Sequence, residues 1–273
     1  MTKQIMAAQF SELKKHIYRQ IKYHVTRPKP PVLADRFHGP VLVVGSAPVS
    51  NKPADFDETF RVITINGSQV VTKAWGIEAP DVTLVQFNQI EGTNTNAVEV
   101  RRVLSNERTK MLYILLWREE FKRLEDGLKA FNYGYDRLEI VDRYKRMALL
   151  DRVGGVKCSE LGADDKCSNG INAVLFALYN GATEVIITGI NPDSGGHVYN
   201  AENLTRLHVR KDREVLERLI ERGYPVFTTD PSVADAVGLP LWKGRAKAGR
   251  ALEPDAEAKP LAPIKAAANP LLS

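Results

Sequence analysis

Seven short apolar runs, separated by stretches of helical periodicity, constrain this chain more than any other feature. They fall at 41–44, 61–65, 82–87, 111–116, 137–141, 184–188 and 226–228. Helical patterns lie between several of them, near 95–104, 118–131, 142–150, 170–180 and 211–222. A run that is apolar at every position suits a strand covered on both faces, which is the situation of a parallel sheet under crossover helices. The pattern predicts an α/β fold, a doubly wound and mostly parallel sheet, over residues 39–242.

The ends differ from this body. Over 5–25, Met6, Phe10, Leu13, Ile17 and Ile21 recur at helical spacing, with Lys14, Lys15, Arg19 and Lys22 largely on other faces. Residues 1–38 therefore read as a basic amphipathic helix closed by the linker Arg27-Pro28-Lys29-Pro30-Pro31. Such a helix either packs on the domain or lies on an anionic membrane surface, and the pattern alone leaves both open. From 243 to 273 the chain becomes rich in Ala, Pro, Lys and Glu with few large apolar residues, so a disordered tail is expected. The net charge of +5 gathers on these two ends, leaving the middle net acidic. That distribution argues against a nucleic-acid partner, which would meet positive charge on the folded body. No run of about 18 apolar residues and no secretory leader pattern is seen, so the expected setting is the cytoplasm, with peripheral contact at the inner face of the membrane left open. Cys158 and Cys167 have no CxxC spacing and read as reduced thiols, although a bridge remains open on sequence grounds.

In an open α/β sheet, ligands bind beyond the carboxyl ends of the strands. Gly45 and Ser46 follow the first run, where a glycine lets backbone approach a ligand and N–H groups can meet a phosphate. Asn66 and Asn88 follow the second and third, and a carboxamide offers both donors and an acceptor to ribose or a base. Each could equally close a turn by bonding its own backbone. Ser168-Asn169-Gly170 opens the next helix, where N-cap residues and free N–H groups would suit an anion. Gly189-Ile190-Asn191 ends the following run, Tyr199 lies in the loop beyond it, and His208 opens the helix after that. A neutral imidazole is suited to proton transfer, but it is also an ordinary capping or surface group.

These motifs, in this order, resemble the core of the bacterial sialyltransferases of glycosyltransferase family 42 and, more distantly, the animal-type sialyltransferases. Gly45-Ser46-Ala47-Pro48, Asn66, Phe87-Asn88, Ser168-Asn169-Gly170 and Thr188-Gly189-Ile190-Asn191 carry the likeness, over roughly residues 40–230. The resemblance implies a Rossmann-like fold of the variant GT-A type. It implies transfer of a sugar acid from a cytidine-monophosphate (CMP) donor to a glycan or lipid-linked saccharide, with inversion. On that pattern His208 would be the general base and Tyr199 would bond the leaving phosphate. Gly45, Ser46, Asn66, Asn88, Ser168, Asn169, Gly170 and Asn191 would surround the donor.

This chain departs from the family pattern at two places. Asp193 stands where a tyrosine would meet the phosphate, and Asn169 replaces the middle serine of the helix opening. Both leave the donor open between sialic acid and a related acid such as Kdo. No metal and no cofactor is expected. Asp55-Phe56-Asp57 fits the DxD pattern of cation-binding transferases but precedes the second run instead of ending a strand. Two other readings stay open: a pyrophosphokinase-like or flagellin-modifying nucleotide-dependent enzyme, and a non-catalytic nucleotide-sugar-binding protein. The sequence does not distinguish a monomer from a homo-oligomer.

Overall fold

The computed structural model describes residues 2–162, 165–200, 202 and 207–245. Residues up to Lys243 form one compact unit, and 244–273 fall outside it. The expected disordered tail therefore lies, from 246 onward, outside the described residues.

In chain order the elements are α1 (Thr2–Thr26), β1 (Val41–Val44), β2 (Arg61–Ile65), α2 (Gln69–Ala74), β3 (Val82–Gln86), α3 (Asn88–Glu91), α4 (Thr95–Leu104), β4 (Arg108–Leu115), α5 (Phe121–Ala130), β5 (Gly134–Val141), α6 (Arg143–Leu149), α7 (Asn169–Tyr179), β6 (Val185–Thr188), α8 (Val209–Glu221), β7 (Val226–Thr228) and α9 (Pro231–Val237). The seven strands make one sheet in the order β5-β4-β3-β2-β1-β6-β7, and every neighbouring pair is parallel. The fold is α/β and Rossmann-like.

Side chains alternate across the sheet. Val41, Val43, Ile63, Leu84 and Ile187 meet a layer from α7, α8 and α9. Leu42, Val44, Val62 and Ile186 face the opposite side, over Val71 of α2. Farther along that side, Val85, Leu112 and Ile114 pack on α4 and α5. Helix α7 is buried at every position from Gly170 to Ala177, with Asn172 the one polar side chain among them, and sits at the centre of its layer. At the edge, β5 is only partly buried and carries Asp136, Arg137 and Glu139, charges that discourage further strand pairing.

Caps explain several helix boundaries. The side chains of Asn94, Asp142 and Ser168 accept from the N–H groups of Ala97, Lys145 and Ile171. Helix α9 starts with Asp230 as cap and Pro231 at its first position, and Gly238 ends it in the left-handed region.

The order of the strands fixes where a ligand can sit. From β1 the chain runs outward through β2, β3, β4 and β5, then crosses back to lay β6 on the other side of β1. The crevice opened by that reversal lies beyond the carboxyl ends of β1 and β6. No described helix is long and apolar enough to cross a membrane.

Candidate active site

The residues at that crevice surround a cleft of about 580 Å³. Its floor is main chain. Gly45 donates its N–H to the carbonyl of Thr188 at 2.8 Å, and Ala47 donates to the carbonyl of Gly189 at 2.8 Å. A Cβ added to Gly45 would lie 2.2 Å from the Gly189 oxygen, and one added to Gly189, at φ +61°, would meet the Gly45 oxygen at 2.7 Å. The glycines are thus required by the approach of two backbones, a sharper demand than a tight turn makes.

Asn66 and Asn88 both reach the cleft. Asn66 takes a positive φ of 49° and opens a short 3-10 turn, and its Oδ1 accepts the N–H of Gln86 at 2.9 Å. The side chain therefore ties the end of β2 to the end of β3. Its carboxamide NH2 can still donate. Asn88 begins α3, and its Oδ1 accepts from Nε2 of the buried Gln89 at 3.0 Å. In turn, Gln89 Oε1 accepts from Asn96 at 3.4 Å, so the three amides form a chain along one wall.

The start of α7 also lines the cleft. Ser168 Oγ accepts the N–H of Ile171, and the Ser168 N–H donates to Oδ1 of buried Asp212 at 2.7 Å. Asn169 and Gly170 begin the helix, where N–H groups have no partner four residues back. Gly170 packs tightly on Ile190, whose Cδ1 lies 3.2 Å from where a Cβ would stand. His208 also lines the cleft, at the N-cap of α8, and its carbonyl accepts the Asp212 N–H at 2.9 Å. Asp212 thereby joins the starts of α7 and α8.

Two sequence-derived residues do not line the cleft. Tyr199 is 6% exposed, and a Cβ on Gly67 would lie 2.8 Å from its ring. The ring stacks flat on His197 with centroids 5.2 Å apart. His197 is the one of the pair that lines the cleft, and its Nδ1 lies 2.7 Å from Ser46 Oγ. Asn191 is engaged in a local turn, accepting from the Asp193 N–H and donating to Ser232 Oγ at 3.0 Å. Asp193 pairs with Arg213 through both carboxylate oxygens, at 2.9 and 3.0 Å, and is likewise not a lining residue. Of the DxD residues, Asp57 accepts from Thr59 N–H and Asp55 from Trp242 Nε1. Among the described residues, no group of three or more His, Cys, Asp and Glu is placed to hold a metal.

The cleft also holds charged groups that the sequence did not reveal. Arg146, 4% exposed, pairs with the 2% exposed Glu160 at 3.2 Å and donates to the Cys167 carbonyl. Lys166 stands beside it among the lining residues. Burial pushes the Lys166 ammonium below the usual lysine range, against the pull of Glu160, and Arg146 and Arg143 push it further down. Both cysteines are free and buried, and burial raises both thiols, that of Cys158 to about 12.

No family model and no curated protein matches the sequence. Among solved structures, the fold aligns with enzymes of Campylobacter jejuni. The monofunctional α-2,3-sialyltransferase Cst-I superposes with a TM-score of 0.49 and 12% identity, over 78% of this chain and 83% of that one. CstII with the substrate analogue CMP-3FNeuAc gives 0.43 and 12%, over 74% and 85%. Another structure of CST-II, in complex with a trisaccharide acceptor and CMP, gives 0.48 and 12%, also over 74% and 85%. The structural neighbours of this chain are sialyltransferases. At these values the likeness assigns no chemistry, which rests on the chain's own residues.

Proposed function

We propose that this chain transfers sialic acid, or a related sugar acid such as Kdo, from a CMP donor to a hydroxyl of a glycan or lipid-linked saccharide. The observation that carries the reading is convergence. Gly45, Ser46, Asn66, Asn88, Ser168, Asn169, Gly170 and His208, from separate stretches of sequence, line one cleft at the reversal of strand order.

Each wall suits one part of such a donor. The start of α7 offers N–H groups and a positive dipole end to an anion, with the Lys166 ammonium nearby and Arg146 already paired with Glu160. Phosphate and sugar carboxylate are the anions of a CMP-sugar. The amides of Asn66 and Asn88 suit ribose hydroxyls and the edge of a pyrimidine.

In this reading the acceptor oxygen attacks the anomeric carbon and forms the new glycosidic bond. The bond from that carbon to the phosphate oxygen breaks, and CMP leaves with the electron pair. His208 takes the proton from the acceptor hydroxyl. Donors around the phosphate stabilise the charge it gains on departure. Tyr199, assigned to the phosphate by the resemblance, acts here through the ring it stacks beneath, and His197 and Ser46 occupy the position facing the cleft.

A thermal-shift panel tests the donor class. CMP, CDP and a CMP-sugar should each raise the melting temperature, while UDP, GDP and ATP should not. Stabilisation by ATP with magnesium and none by CMP would overturn the reading in favour of a kinase-like enzyme.

A further inference from the structure

Helix α1 is docked by its polar side. Arg19 donates to the carbonyls of Ser159 and Glu160 at 2.8 and 2.6 Å, and Gln20 donates to the carbonyl of Cys158 at 2.8 Å. Tyr23 donates to Asp151 at 2.8 Å, and His16 Nδ1 lies 2.7 Å from Ser159 Oγ. The apolar side is turned outward. Met6, Phe10, Leu13, Ile17 and Ile21 are 67, 58, 52, 48 and 58% exposed. They are spaced 4, 3, 4 and 4 residues apart and so form one stripe along the helix. A helix that simply packs on its own domain would show the reverse arrangement.

We propose that this stripe lies in the surface of an anionic lipid bilayer, holding the protein there as a peripheral membrane protein. Charge selects this occupant over a second copy of the chain. Helix α1 is basic: Lys14 flanks the stripe over the Phe10 ring, and Lys15, Arg19 and Lys22 lie on the other faces, against the single acid Glu12. Lys22, Arg118 and Arg143 then line a surface groove of about 410 Å³, whose one carboxylate, Asp142, is the N-cap of α6. Arg143 Nε is buried there without a hydrogen-bond partner among the described residues. Two copies paired through α1 would bring like charges together, whereas anionic headgroups would neutralise them. The helix is not apolar enough to span a bilayer, so it lies along the surface.

Co-sedimentation of the full chain with vesicles tests this, using phosphatidylcholine alone and phosphatidylcholine with one third phosphatidylglycerol. Binding to the mixed vesicles should exceed binding to the neutral ones and weaken as salt is raised. Replacing both Leu13→Ser and Ile17→Ser should reduce binding about ten-fold or more through lost apolar burial. Lys14→Gln and Lys15→Gln should each reduce it about five-fold. Both apolar side chains are exposed, so the melting temperature of the double variant should match the parent. Equal retention on the two vesicle types, or a double variant that binds like the parent, would overturn the proposal. So would a dimer in analytical ultracentrifugation that the double variant dissolves, since a second copy would then cover the face. No arm uses a nucleotide, so this proposal and the CMP-donor reading stand or fall separately.

Discussion

Ser46 holds the loop that follows β6 at two points: its Oγ lies 2.7 Å from His197 Nδ1, and its carbonyl accepts the Val198 N–H at 2.8 Å. The His197 ring is thereby set between a strand end and the face of Tyr199. A double-mutant cycle should expose the side-chain part of this link. Ser46→Ala and His197→Phe should each destabilise the protein, and the combined variant should fall short of their sum by about 1 kcal/mol in urea unfolding, the usual scale of one hydrogen bond. Strict additivity would show that the contact contributes nothing.

His208 should separate chemistry from binding. With His208→Ala, the rate of sugar transfer should drop about 10²- to 10⁴-fold, the range for loss of a general base. Affinity for CMP, read by calorimetry, should stay within about two-fold because the donor contacts proposed above lie elsewhere in the cleft. Full turnover in this variant would remove the histidine from the mechanism.

The backbone contact beneath the cleft makes a prediction about stability. Gly45→Ala places a methyl 2.2 Å from the Gly189 carbonyl, and backbone on a packed sheet cannot yield as a side chain can. A loss of about 3 kcal/mol or more is expected, at the severe end of overpacking. Gly162→Ala is the control, since a Cβ there meets nothing within 4 Å among the described residues, and its unfolding midpoint should barely move.

Strands were the most legible part of the sequence. The bounds of β1, β2 and β7 follow their apolar runs residue for residue, because every residue in them is buried except the exposed Arg61 and the half-buried Phe227. Helices α2, α3 and α9 went unread. They are six, four and seven residues long, too short for a 3.6-residue period to declare itself. Within the cleft, residues at strand ends and helix starts could be found because topology brings those positions together. Arg146 and Lys166 could not: nothing in a lone basic residue says it will be drawn to a buried Glu160. Tyr199 was misplaced for a related reason. A tyrosine in a loop reads as a polar contact, yet this ring packs with the core cluster around α4 and α5 and leaves the open side to its histidine neighbour.

Lys166 should make nucleotide binding sensitive to alkali. An anion beside it favours the charged ammonium, so affinity is full below the folded pKa of Lys166 and falls as pH rises through it. Burial holds that pKa below the ordinary 10.5, so the decline should begin at lower pH than an exposed lysine would give. Lys166→Arg, which stays charged, should flatten the profile of CMP affinity against pH. An unchanged slope in that variant would take Lys166 out of the anion's surroundings.

Because Gly45 and Gly189 meet through their peptide groups, the part of the crevice they line offers main chain and no side chain. Such a base is blind to point substitution: a new side chain cannot be inserted there without prising β1 from β6. On the proposed reading, discrimination between one sugar acid and another would then be written in lining side chains such as those of Asn88, Lys166, His197 and Asn169. A change of donor could thus evolve, or be engineered, with the sheet left untouched.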